Sequence, residues 1–310
     1  MTTPNDLRLA ILQADPRLSK FNPLPRILFY DDFDEGVHGW AELIGNHDGN
    51  LDNVRPIMAD LRPPQLSSCT YFDIGTHGSV HGTYALKLAT RAKAGHMAQL
   101  IKRLTFVRPG QVQFETYFTY KAEQIFNRSA GEAATWDGNF DPSEADFGDF
   151  TISNDVCEAH EGARYHCALR YLNTDKHGKL VQKWMYKTSV QPSTKMVMSG
   201  MVSPNYDYHV IHEDDWKPVP NGHQPFCYNE IPTKINWHYL RWDFDTRTRR
   251  SVELQVNNLL MPLHEVPVPV FDHSYKALNR LMNFCFDVRT HRPVRNFLFL
   301  DSVVVSFEEP

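Results

Sequence analysis

The chain has 310 residues, 42% hydrophobic and 12% aromatic, enough for one large elaborated core or two small ones. A charged fraction of 22% with a net charge of -5 gives no electrostatic footprint for nucleic acid. No apolar run reaches the roughly 18 residues of a membrane span, and residues 1–22 lack the basic-then-apolar order of a secretory leader.

Helix signals are sparse. Asp6–Gln13 reads as a short N-terminal helix, and Ser274–Arg280 as another with Ser274 as its N-cap. Elsewhere the period is two, with β-branched and aromatic residues alternating with polar ones between Gly, Asn, Asp and Pro clusters. This pattern predicts strands near Arg26–Phe33, Thr83–Arg91, Ala98–Phe106, Val112–Tyr120, Asp149–Glu158 and Arg164–Leu172. Further strands are expected near Leu180–Thr188, Trp237–Asp245, Ser251–Val256, Asn283–Arg289 and Phe297–Phe307. Turn chemistry suggests hairpins at Ala92–Gly95, Asn173–Lys179 and Asp245–Arg250.

These elements form one domain over residues 26–310, preceded by an extension over residues 1–25. Two long polar or Pro-rich insertions, 124–148 and 191–232, read as lids, rims or partner surfaces. Cysteines at 69, 157, 167, 227 and 285 form no C-x-x-C pair. Their odd number and wide spacing favour reduced thiols and a cytoplasmic protein.

Alternation also sorts the faces. In Val112–Tyr120, Phe114, Thr116, Phe118 and Tyr120 read as core, opposite Gln113, Glu115, Tyr117 and Thr119. In Arg164–Leu172, Tyr165, Cys167, Leu169 and Tyr171 read as buried, opposite Arg164, His166 and Arg170. Ser251–Asn257 sets Glu253, Gln255 and Asn257 against Val252, Leu254 and Val256. Leu180–Thr188 and Trp237–Asp245 mix aromatic and charged types, Trp184 and Arg241 among them, on both parities.

Several strings, in order, resemble the concanavalin A-like (laminin-G-like) jelly rolls. They are YDDFDEGVHGW from Tyr30, GTYALKLATRA from Gly82, GQVQFETYFTY from Gly110, NWHYLRWDFDTRTRRSVELQVNN from Asn236 and FLFLDSVVVSF from Phe297. The resemblance implies an all-β, antiparallel two-sheet sandwich with short peripheral helices and long loop insertions, whose first and last strands lie side by side. That pairing explains an apolar C-terminal strand where a solvated tail is the ordinary expectation. The resemblance also implies a structural calcium site at the joined chain ends, with Asp301, Asp32 and Asp34 as ligands. The competing reading is that Asp301 caps strand hydrogen bonds and the acidic residues form a solvated turn.

In such folds a concave sheet often holds glycans, which need flat aromatic faces together with planar Arg, Glu, Gln and Asn groups. Arg164, Arg170, Trp184, Arg241, Glu253 and Gln255 are the expected substrate contacts, and Glu115, His166 and Tyr117 the candidate catalytic groups. The family's glucanases carry E-x-D-x-x-E, which has no counterpart around Glu115; Glu144-x-Asp146-x-x-Asp149 reads as a turn. No P-loop, dinucleotide fingerprint or G-x-S-x-G motif is present. The expected function is therefore carbohydrate binding with processing by hydrolysis or β-elimination, as in a glycoside hydrolase or polysaccharide lyase. The alternative is a non-catalytic glycan-binding or assembly module, with homo-oligomers among its forms.

Overall fold

The structure is a computed structural model that describes residues 4–42, 64–68, 78–106, 108–123, 144–158, 162–191, 212–229, 235–272 and 279–308. Helix α1 (Pro4–Ala14) is followed by β1 (Arg26–Asp31), β2 (Ala41–Glu42), β3 (Gln65–Ser68), β4 (Tyr84–Ala89) and β5 (Met97–Thr105). Next come β6 (Gln111–Ala122), β7 (Asp149–Glu158), β8 (Ala163–Thr174), β9 (Leu180–Lys187), β10 (Trp216–His223) and β11 (His238–Asp245). The last are β12 (Arg250–Val256), β13 (Leu259–Pro262), β14 (Val270–Asp272), β15 (Asn279–Arg289) and β16 (Asn296–Glu308).

The strands form two antiparallel sheets of eight. Sheet A runs β13-β12-β11-β6-β16-β4-β3 with β1 also on β16, and sheet B runs β10-β9-β8-β7-β15-β5-β2 with β14 on β8. Their inner faces share one core that takes residues from both layers. Aromatic rings bridge the layers: Phe114 stacks on Phe284 at 5.0 Å, Tyr165 on Phe244 at 5.7 Å, and Phe118 meets Phe150 at 5.1 Å. Each buried Phe contributes roughly 1.5–3 kcal/mol, so the strand parity chosen by these rings is strongly enforced.

The chain ends meet as expected. β1 pairs with the second half of β16, from Arg26 opposite Phe307 to Asp31 opposite Val303, while the first half pairs with β4. On its other side β16 lies along β6, and both of its faces are buried as far as Phe307. Its parity differs from a simple alternation. Asp301 faces Tyr117 but Val304 faces Glu115, so three steps on β16 match two on β6. Ser302, at φ 53°, makes this bulge. Leu298 and Leu300 before it, and Val303, Val305 and Phe307 after it, therefore all point into the core.

Other expectations need correction. Ala92–Gly95 is no hairpin, because β4 belongs to sheet A and β5 to sheet B, so this segment crosses between layers. Asn173–Lys179 and Asp245–Arg250 are hairpin turns, joining β8 to β9 and β11 to β12. A register shift between Asp243 and Phe244 brings Ser251 into the core and leaves Val252 exposed. β10 lies within the stretch read as an insertion, and Asn279 and Arg280, expected to end a helix, begin β15. The rest of that helix, Cys69 and most of both insertions lie outside the described residues. Cys157, Cys167 and Cys285 are buried free thiols; burial raises the Cys157 thiol to about 12, which makes it inert at neutral pH.

Candidate functional site

The inward residues of β7, β8 and β15 are apolar, so the pleat turns the intervening ones to the outer face of sheet B. Cross-strand register arranges that face in rows. One row runs Gln99–Asp287–Thr151–Arg170, the next Ile101–Cys285–Ser153–Ala168, and a third Asn283–Asp155–His166. The middle row is a floor of mostly small side chains between two polar ones. An ordinary outer face is solvated. Here Thr151, Ser153, Asp155, His166, Arg170, Asn283 and Asp287 are at most 5% exposed.

Most of the charges are matched. Asp149 accepts from Arg170 Nη2 at 2.7 Å and Arg289 Nε at 3.1 Å, with His291 Nε2 at 2.7 Å. Burial alone would raise the Asp149 carboxyl, but Arg170, Arg289 and His291 hold it well below its usual range. Glu213 reaches over the face to Arg170 Nη1 at 2.9 Å and Arg289 Nη2 at 3.0 Å. Asp155 accepts from Arg164 Nε at 2.7 Å and Nη2 at 2.5 Å, and from Asn283 Nδ2 at 3.3 Å.

Asp287 differs. Burial pushes its carboxyl up to about 7, against the hydrogen bond from Gln99 and the charge of Lys187. Its Oδ1, the hydroxyl of Thr151 and Arg170 Nε, all in one row, have no hydrogen-bond partner among the described residues. Asn283 Oδ1 and the indole Nε1 of Trp216 are in the same condition. Trp216 lies beside the row, its ring 5.8 Å from the Arg170 guanidinium and 5.7 Å from Lys187 Nζ. Leaving such buried groups unpaired costs about 1–3 kcal/mol each. A bound molecule with both donors and acceptors would recover that energy.

The residues expected to share one cleft are divided between the two sheets. Arg164, His166 and Arg170 lie on the outer face of sheet B. Trp184 instead lies in the core, its indole donating to Gln224 Oε1 at 3.0 Å, because its parity on β9 is the inward one. Glu115, Tyr117, Arg241, Glu253 and Gln255 lie on the outer face of sheet A, the opposite side of the sandwich. There Glu115 Oε1 accepts from Tyr239 OH at 2.6 Å and from the backbone N–H of Asn22 at 3.0 Å. Gln113 donates to the Asn22 carbonyl at 2.8 Å, the Leu24 N–H donates to Ser306 Oγ at 2.9 Å, and Phe21 packs on Tyr117. Glu115 and Tyr117 thus hold the N-terminal segment as it crosses to β1.

The carboxylates expected to bind calcium are engaged by donors of the chain itself. Asp301 Oδ2 accepts the N–H groups of Val80 at 2.5 Å and His81 at 3.2 Å. Burial pushes Asp301 up to about 6. Asp34 Oδ1 accepts from the N–H of Thr83 and of Tyr84, and Asp32 accepts from Tyr30 OH and the Asp34 N–H. Among the described residues no three His, Cys, Asp or Glu side chains gather around a metal-sized point. These oxygens serve N–H and O–H donors that tie the 80–84 segment and the turn after β1 in place.

The sequence reading missed Asp149, Thr151, Asn283 and Asp287. The available signal was the Asp-Thr-Ser-Asp parity of Asp149–Asp155 opposite Phe150, Ile152 and Val156.

A family model described as Domain of unknown function (DUF6772) matches residues 8–309. No curated protein matches the chain. Similar solved structures include the potassium-bound carbohydrate recognition domain of Emp46p, at 9% identity and TM-score 0.38, covering 92% of this chain and 95% of that one. Lectin II from Ulex europaeus has 7% identity and TM-score 0.38, over 79% and 93% of the two chains. A structure titled for endo-acting O-glycanases of the human gut microbiota has 12% identity and TM-score 0.38, over 91% and 100%. The architecture rests on the strand pairings themselves.

Proposed function

The chain belongs to the DUF6772 family, and from that premise we propose that it binds a carbohydrate against the outer face of sheet B. The observation that carries this reading is the buried row Asp287–Thr151–Arg170, where an acceptor, a hydroxyl and a donor have no hydrogen-bond partner among the described residues. Sugar hydroxyls both donate and accept, so one polyol can satisfy all three together with Asn283 Oδ1 and the Trp216 indole. The neighbouring row of Ser153, Ala168 and Cys285 carries short side chains. The test is calorimetry against a panel of neutral and uronate-containing oligosaccharides. Thr151→Val, with folding checked by circular dichroism, is expected to weaken the best binder about tenfold, the equivalent of one lost buried hydrogen bond. A panel with no binder, or equal affinity in the variant, overturns the reading.

A catalytic reading has one specific support. Asp287, with its carboxyl near neutrality, is suited to carry a proton during hydrolysis or β-elimination. Asp149 and Asp155 are each held in ion pairs with arginine, so among the described residues this face offers no second free carboxylate for a glycosidase pair. Reducing ends, or the ultraviolet absorbance of an unsaturated uronate, in wild type and their absence in Asp287→Asn are the expected signs of catalysis. Binding without product leaves the protein a recognition module.

A further inference from the structure

The outer face of sheet A carries a second polar arrangement that sheet B's ligand does not use. Its rows run Glu115–Arg241–Gln255, Gln113–Asp243–Glu253 and Tyr117–Tyr239. Arg241 makes ion pairs with Asp243, at 3.3 Å, and with Glu253. Three carboxylates against this one guanidinium leave two formal negative charges in excess. Glu115 is fully buried, yet its Oε2 has no hydrogen-bond partner among the described residues, and neither has Asp243 Oδ1. The two side chains are diagonal neighbours on adjacent strands, roughly 7–8 Å apart at Cβ or somewhat less. A single N–H-rich group can therefore reach both. The edge is open to solvent, with the Arg241 side chain 20% and that of Glu253 30% exposed.

We infer that this face binds a ligand through a primary ammonium group, held between Glu115 Oε2 and Asp243 Oδ1 beside the Tyr117–Tyr239 pair. The unpaired atoms on the two carboxylates are acceptors, which an ammonium with three donors satisfies. The excess charge selects a cation over a sugar hydroxyl. The carboxylates gather around no metal-sized point among the described residues, so an organic cation fits better than a metal ion. The two tyrosine rings, 5.5 Å apart and tilted by 55°, border Glu115 on its other side, where Tyr239 OH donates to Glu115 Oε1 and leaves Oε2 for the ligand. Asp243 fits this account as well. Burial pushes its carboxyl up to about 6, with Glu253 and Glu115 adding to the rise and Arg241 opposing it, and a bound cation would offset that strain.

The test uses the full chain and two probes of one length, 1,5-diaminopentane and pentane-1,5-diol, in calorimetry at pH 7.5. Saturable binding of the diamine and none of the diol is expected. Asp243→Asn, nearly isosteric, and Glu253→Gln, at the open edge, are each expected to weaken the diamine about fivefold to tenfold, as loss of one partly screened charge implies. Thr151→Val on the opposite sheet should leave it unchanged, which separates this site from the carbohydrate reading. No saturable heat with the diamine, equal binding of the diol, or equal affinity in both acidic-site variants would overturn the inference.

Discussion

At the scale of single residues, Asp287 connects stability to function. Its folded carboxyl titrates near 7 because burial disfavours the charge, against 3.8 for the ordinary group. Between these values the native state keeps a proton that the unfolded chain has lost. Stability from this residue therefore falls as pH rises from about 4 to 7 and stays low above that. His238 acts in the opposite sense: burial lowers it to about 4, so its contribution rises with pH up to 6.5. Comparing Asp287→Asn with wild type isolates the aspartate. The variant is expected to melt several degrees higher at pH 8 and within about a degree of wild type at pH 3.5, since each lost kcal/mol is worth a few degrees here. The same variant should bind carbohydrate less well, a common exchange of function for stability at a site. If Asp287→Asn instead melts lower at pH 8, Lys187 and Gln99 more than repay the buried charge.

At the scale of elements, alternation located eleven strands but could not assign every face. A period of two cannot register one extra residue, and the bulge at Ser302 is such a residue. The same limit placed Val252 in the core, where the register shift in β11–β12 puts Ser251. Parity within one strand was legible. Which sheet a strand joins was not, because sheet membership is decided by long-range pairing. Hence Glu115 and His166 looked like neighbours from the sequence and lie on opposite faces of the sandwich. The segment around Asn22 shows the consequence for Glu115, whose carboxylate holds a backbone N–H and a tyrosine hydroxyl. Glu115→Ala is expected to lose about 2–3 kcal/mol, the scale of hydrogen bonds to a charged group. Hydrogen exchange should then quicken at residues 20–24 while β7 and β15 stay protected. Unchanged exchange there would mean that Phe21 and Gln113 hold the segment without the carboxylate.

At the scale of the whole molecule, β16 joins parts of the chain that are far apart in sequence. It contacts β6 along its full length, β4 with its first half and β1 with its second, so sheet A cannot close until residues 296–308 are in place. These pairings span up to 281 positions, from Arg26 to Phe307. That loop-closure entropy is spent before the contacts repay it, which favours slow folding. The apolar run with one aspartate reads sensibly in this light. Phe307, Val305, Val303, Leu300 and Leu298 fill the core, while Asp301 anchors the Val80–His81 backbone over the outer face. A chain ending at residue 295 leaves β6, β1 and β4 with exposed edges and an open core, a state prone to aggregation. It is expected to show no cooperative melt and no near-ultraviolet circular dichroism. Removal of residues 1–14 should keep both signals, because α1 leaves Leu7 59% and Ile11 62% exposed and adds little to the core. A cooperative melt in the chain ending at 295 would mean that sheet B, with its own buried polar face, folds without the partner layer.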